Sequence, residues 1–300
     1  LKLTFFESNP PNFGDELNKY LWSNLIEPGF FDEDESTLFL GVGSILWDHY
    51  PKDATKIVMG SGYGGYTPIP NVHDGSWDIT FVRGPRTAQL LNIDKSKVIT
   101  DAAILVKYLK FPSHIQSPNR VSRIGFMPHY QSIPRACWKE VCEVAGLVYL
   151  DPTEPNVTNT LSMIKSCDFI ISEAMHGVIL ADTLRVPWIP IQPKVAIHRN
   201  KWFDWAESMD LSLSFNDCPN SSILDFWSSF SGLQATGKRS NYVQNKLKMI
   251  NSIFVNNAAK TLSNFIIDDA FLSSDSVFER NSVNALEALS SKCKIVRGIG

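Results

Sequence analysis

Four stretches of the chain carry side chains able to move protons or hold anions. "SEAMHGVILADTLRVPWIPI", Ser172 to Ile191, sets His176 where an apolar strand gives way to a helix. Gly177 beside it permits close backbone approach, and open α/β sheets place their ligands at that strand edge. "GFMPHYQS" puts His129 just past another strand, at the matching place in its own unit. One such histidine is as easily structural as catalytic. Two at strand ends that could line one cleft point to proton transfer near neutral pH. "FVRGPRTAQLL" ends a strand at Arg83 and opens a helix at Arg86, two guanidiniums shaped for carboxylate or phosphate, with surface salt bridging as the other role open to them. "QPKVAIHRNKWFDWAE" brings Lys194, His198, Arg199 and Lys201 beside Trp202 and Trp205, a mixture that suits a charged small molecule or a sugar ring. Gathered at one edge in a chain of net charge −3, these cations point to a compact polyanion as ligand.

Hydroxyl recognition has its own candidates. In "NPPNFGDELN", Asn12 and Gly14 lead into a helix that opens on Asp15 and Glu16. A helix amino terminus ordinarily favours anions, but two carboxylates there repel a phosphate and can accept hydrogen bonds from sugar hydroxyls. Simple N-capping by Asp15 is the alternative. "GVGS", with Gly43 and Ser44, and "GSGYGG", with Gly62, follow apolar strands and allow backbone amides to approach a ligand. Neither completes a dinucleotide fingerprint, and tight turns explain such glycines equally well.

These residues need a scaffold that brings strand ends together. Short apolar runs ("LKLTFF", "TLFLGVGSIL", "TKIVMGSGYGG", "DITFVRG") alternate with helical patterns ("DELNKYLWSNLI", "PRTAQLL"), which predicts a parallel sheet with helices on both faces. A second series begins near Arg120, running through "VSRIGFMPHY", "ACWKEVCEVAG", "LVYLD", "VTNTLSMIKSC" and "DFIIS" to the His176 stretch. The polar, proline-bearing "KFPSHIQSPNR" between them reads as a linker. The expected division is an N-terminal Rossmann-like domain over 1–118, a second over 119–210, and a helical extension over 211–300, with helices near Asn241 to Phe265 and Ser274 to Leu289.

Bulk composition excludes several classes. With 300 residues, 44% hydrophobic and 20% charged, the chain is globular rather than disordered. Its charge offers no field for nucleic acid, and no block of Lys and Arg forms a membrane anchor. Five scattered cysteines without a close pair suggest neither disulfides nor zinc. No apolar run is long enough to span a bilayer and no leader pattern opens the sequence, so the expected location is cytoplasmic, with peripheral membrane contact left open.

Taken in order, "NFGDELN", "GVGS", "GSG", "VRGPRTAQLL", "TDAAILV" and "SEAMHG" resemble the polysaccharide pyruvyl transferase family, in particular its bacterial exopolysaccharide ketal-pyruvate transferases. The similarity runs from about Lys2 to about Trp205. It implies a GT-B-like α/β fold, two Rossmann-like domains facing across a cleft, followed here by C-terminal helices. It also implies transfer of a pyruvyl group from phosphoenolpyruvate to a sugar of an exopolysaccharide or its precursor, as a ketal. The acceptor would be free or lipid-linked, and neither cofactor nor metal is expected. The family histidine maps onto His176 and its first-domain arginine onto Arg83 or Arg86. Several members carry an arginine two residues before the histidine, where this chain has Ala174, so Arg199, Lys201 or Lys194 would supply that charge.

On this reading His176 is the general acid, with His129 as the alternative, and Asp15 or Glu16 orients or deprotonates the acceptor hydroxyl. Arg83, Arg86 and the loop from Lys194 to Lys201 hold the donor. Asn12, Gly14, Gly43, Ser44, Gly62 and Trp202 complete the substrate site. Two other classes compete: a nucleotide-sugar glycosyltransferase on the same scaffold, and a non-enzymatic saccharide-binding module.

Overall fold

Phe13, Leu17, Leu21 and Leu25 recur every four residues, and in the computed structural model they form the buried stripe of α1 (Phe13–Leu25). Each contributes roughly 1.5–3 kcal/mol by leaving water. The structure describes residues 1–110, 122–194, 198–231 and 246–296. The expected boundary at 118/119 lies outside them, as does the expected linker beyond Lys110.

The first series builds a four-stranded parallel sheet in the order β1 (Lys2–Thr4), β2 (Thr37–Leu40), β3 (Thr55–Met59) and β4 (Trp77–Phe81). Leu3 pairs with Phe39, Phe39 with Ile57, and Ile57 with Asp78. Helix α2 (Pro85–Leu90) follows β4, its proline at the first turn where no amide is needed. The alternation of strand and helix is incomplete. β2 to β3 and β3 to β4 are joined by irregular loops, because their Gly, Pro and Asp content gives no helical period.

The second series builds another parallel sheet in the order β6 (Val148–Tyr149), β5 (Ile124–Met127), β7 (Phe169–Ser172) and β8 (Trp188–Pro190). β7 is buried along its whole length, as its unbroken apolar run requires. α3 (Trp138–Ala145) ends on Gly146 in the left-handed conformation, and α4 (Val157–Lys165) and α5 (Met175–Thr183) flank β7 in sequence. α6 (Arg199–Ser208) then packs on α2 of the first series.

One apolar cluster joins the series, running from α1 and Phe39 through the 3-10 segment Ala102–Tyr108 to Met127, α5, Trp202 and Trp205. Toward the C-terminus come α7 (Ile223–Ser231), α8 (Lys248–Ser263) and α9 (Asp275–Ser290). α8 lies on α3, while α9 lies on Ala102–Tyr108 and β4, so the two bear on different sheets. No described helix is long and apolar enough to cross a membrane.

Candidate active site

The carboxyl ends of both sheets open onto one cavity of about 520 Å³. Asn12 and Asp15 reach it from the start of α1, Gly43 and Ser44 from the loop after β2, and Tyr66 from the loop after β3. His129 and Gln131 come from the end of β5, His176 from α5, and His198 and Lys201 from α6. β5 and β7 are neighbours in their sheet, which places His129 and His176 on the same wall.

Asn18, buried in α1, pins the β2 loop. Its carboxamide nitrogen donates to the Val42 carbonyl at 3.0 Å, and its oxygen accepts from the Val42 amide at 2.9 Å. The same oxygen accepts from the Trp22 indole at 3.0 Å. Gly43 then turns with φ +130°, a conformation that only glycine adopts without strain. Asp15 is no N-cap. Asn12 holds the cap position, and its Nδ2 donates to Asp15 Oδ2 at 2.6 Å. Burial raises the Asp15 carboxyl to about 6, against the Asn12 hydrogen bond and the charge of Lys201.

His176 lies against Gly14, where any Cβ would overlap the imidazole. Its Nε2 is 4.0 Å from Asp101 Oδ2, and both atoms are buried with no hydrogen-bond partner. The other oxygen of Asp101 caps the 3-10 segment, accepting from the Ala103 amide at 3.0 Å. Burial raises the Asp101 carboxyl to about 6, while burial and the nearby Lys201 and Arg83 charges lower His176 to about 3. His176 is therefore neutral at pH 7.

Two further imidazoles stand beside it. His198 accepts from the Tyr66 hydroxyl at Nδ1 (2.8 Å) and donates from Nε2 to Gln131 Oε1 (3.0 Å), and burial and Lys201 lower it to about 3. His129 lies against His198 with ring centroids 4.8 Å apart and planes tilted by 32°, and burial drives it well below the usual histidine range. Glu173 secures the His129 backbone, accepting from its amide at 2.9 Å. Lys201 is held down to about 8 by burial and by Arg83, against the pull of Asp15 and Asp101.

The other expected cations do not line the cavity. Arg83 is 1% exposed and donates from Nε to Asp204 at 3.0 Å and from Nη1 to Ser44 at 2.7 Å. Gly62 makes room for that guanidinium rather than for a ligand. Arg86 pairs with Glu207 at 2.6 Å and lies over Phe203. Lys194 binds Asp225 at 2.6 Å, and Asp225 also takes Arg135 at 3.1 Å. Arg199 turns back to the Pro193 carbonyl, and Glu16 pairs with Lys19. The expected cation cluster is thus corrected: of these lysines and arginines, among the described residues, Lys201 alone lines the cavity, while the buried Arg83 and Lys194 are already held by carboxylates. Trp202 is corrected as well: it is fully buried against Phe215 and presents no face to a sugar.

Sequence reasoning missed Tyr66 and Gln131, named His198 without a role, and noticed Asp101 only inside "TDAAILV". The one local signal for Asp101 is an acid set directly before a wholly apolar run. Among the described residues, no group of three or more His, Cys, Asp or Glu side chains could hold a metal ion.

A profile of polysaccharide pyruvyl transferases matches residues 8–194. The chain is also 36% identical over 214 residues to the succinoglycan biosynthesis protein ExoV of Rhizobium meliloti (strain 1021). That match spans 71% of this chain and 66% of the relative, just under two thirds of its length. The motifs that converge on this cavity and the extent of the match agree: the chain belongs to the polysaccharide pyruvyl transferase family.

Proposed function

We propose that this protein transfers the pyruvyl group of phosphoenolpyruvate to a saccharide in exopolysaccharide synthesis, forming a ketal. Family membership and the name of the relative support pyruvyl transfer in that setting. The observation that carries the mechanism is the constellation of His176, Asp15 and Lys201 at one cavity, with Asp101 buried behind His176. We read the two sheets as the Rossmann-like halves of a GT-B-like fold, divided near residue 118.

Phosphoenolpyruvate brings a carboxylate and a phosphate. Lys201 meets them in place of the arginine that Ala174 lacks. The donor's negative charge raises the proton affinity of every imidazole nearby, so His176 gains a proton as the donor enters. Asp101, 4.0 Å from Nε2, stabilises the imidazolium when that gap closes. His176 then delivers its proton to the methylene carbon, which becomes a methyl group, while an acceptor hydroxyl attacks the neighbouring carbon. Asp15, raised to about 6, takes that hydroxyl's proton. Loss of phosphate leaves an oxocarbenium ion, a second hydroxyl of the same sugar attacks it, and the departing phosphate accepts the last proton. The sum is one donor and two hydroxyls giving one ketal and one phosphate.

Calorimetric titration with phosphoenolpyruvate and, separately, UDP-glucose tests the assignment. Phosphoenolpyruvate is expected to bind wild type and to lose at least tenfold in affinity to Lys201→Met. Binding of UDP-glucose without phosphoenolpyruvate would replace this reading by the nucleotide-sugar one.

A further inference from the structure

Chemistry confines one sugar ring and the donor to the cavity, so the rest of a saccharide acceptor must leave through its mouth. One side of that mouth is aromatic. Trp47, in the loop after β2, stacks on His49 with centroids 5.1 Å apart and planes at 20°, and on Tyr50 at 5.7 Å and 26°. His49 and Tyr50 are themselves 5.7 Å apart, so both lie on the same face of the indole. Trp47 is partly buried against the core behind it and lines two cavities with the rest of its surface. Phe6, 42% exposed, meets it edge-on at 6.3 Å.

This ridge is held in place from behind. The Tyr50 hydroxyl donates to the Ile45 carbonyl at 2.8 Å, and Tyr50 packs edge-on against Trp77. Phe6 and Trp47 also line a second cavity of about 650 Å³, which follows β1, the outermost strand of its sheet. Glu7 and Glu33 on its walls are largely exposed and stand 3.9 and 3.8 Å from Lys19 and Lys2, which line it too, so the groove offers both acceptors and donors to hydroxyls. The track therefore runs from reaction cavity, across a flat apolar indole, to a groove lined by lysines and carboxylates. A chain of sugars has the matching chemistry: apolar C–H faces that lie on aromatic rings, with hydroxyls around the rim.

We infer that the Trp47 and Phe6 ridge is a second saccharide subsite, which binds the ring next to the one being modified and gives the protein a preference for oligosaccharide over monosaccharide acceptors. The inference rests on the pyruvyl-transfer reading for what occupies the cavity. It differs from the expected use of tryptophan, since Trp202 is core and Trp47 takes its place from another loop.

The test is calorimetric titration with oligosaccharides cut from succinoglycan by partial acid hydrolysis and separated into one-ring, two-ring and four-ring fractions. Wild type, Trp47→Ala, Trp47→Phe and Phe6→Ala are compared, with phosphoenolpyruvate affinity and Tm read on each as controls of folding. Wild type is expected to gain at least tenfold in affinity between the one-ring and two-ring fractions. Trp47→Ala should erase that gain, Trp47→Phe should keep part of it, and Phe6→Ala, at an exposed position, should reduce it without lowering Tm. A length preference unchanged in Trp47→Ala and Phe6→Ala overturns the subsite, as does a wild type indifferent to length. Failure of every saccharide with phosphoenolpyruvate binding intact also overturns the subsite alone. Failure of both ligands overturns the pyruvyl-transfer reading beneath it.

Discussion

Asp101 is kept charged at neutral pH in a place that opposes the charge. Its carboxyl is buried, raised to about 6, and one oxygen has no partner. A carboxylate with a raised value contributes stability below its unfolded value of 3.8 and loses it as pH rises through 6. A rise of that size corresponds to roughly 3 kcal/mol against folding above pH 6. Asn keeps the oxygen that caps Ala103 and removes the charge. Asp101→Asn is therefore expected to be about 1–3 kcal/mol more stable than wild type at pH 8 in urea unfolding, and to converge with it towards pH 4. Its kcat should fall at least tenfold with KM for phosphoenolpyruvate less changed, and the alkaline limb of its pH–rate profile, where the general acid is lost, should move to lower pH. The imidazolium of His176 would have lost the group that favours it. A variant of unaltered stability and unaltered pH profile would make Asp101 a capping residue and nothing more.

Helix α6 carries Lys201 into the cavity, and what fixes α6 is the buried contact of Arg83 with Asp204. Asp204 is further satisfied by the Thr87 amide at 2.8 Å and the Thr87 hydroxyl at 2.7 Å. Removing one partner strands a charge, so Arg83→Ala should cost about 3–5 kcal/mol in denaturant unfolding. Arg83→Met with Asp204→Asn leaves a neutral side chain that still serves Thr87, and should recover most of that loss together with phosphoenolpyruvate affinity. A direct donor grip by Arg83 would give the reverse: little loss of stability and no recovery of affinity in the double variant. The same pair marks where the sequence stops being legible. α1, α3, α5 and β7 are readable because their apolar spacing is local, and His129, His176, Asp15 and Lys201 are readable because they sit at the ends of such elements. Arg83 and Asp204 are 121 positions apart, and no local pattern says that an arginine at a strand end already has its carboxylate. Trp202 misled for a related reason: beside three cations it reads as a surface residue, whereas α6 turns it into the shared core. Trp47 was passed over because its stack with His49 and Tyr50 depends on an irregular loop.

Across the whole molecule, the cavity and the buried carboxyl behind His176 bring together charges that burial opposes: Asp15, Asp101 and Lys201, beside imidazoles that burial keeps neutral. Lys201, lowered from 10.5 to about 8, contributes stability above 10.5 and loses it as pH falls through 8. His176 and His198, lowered from 6.5 to about 3, contribute fully above 6.5 and lose that contribution as pH falls towards 3. An anionic donor reverses each of these preferences, because it raises the proton affinity of every group it approaches. Binding must then take up protons from solution. At pH 8 the donor's phosphate, with a second pKa of about 6, is already ionised and takes no part in the exchange. A substantial part of the Lys201 population is neutral there, so wild type should take up a fraction of a proton per donor from this residue, and more if His176 protonates as well. Titration calorimetry at pH 8 in two buffers of different ionisation enthalpy reads that number directly. Lys201→Met should lower the uptake by the share of this lysine, while His176→Ala should leave that share in place. Affinity should weaken between pH 8 and pH 9.5 as the free lysine loses its proton. Equal heats in both buffers would mean that donor binding perturbs neither group, and would move the anion grip away from this cavity.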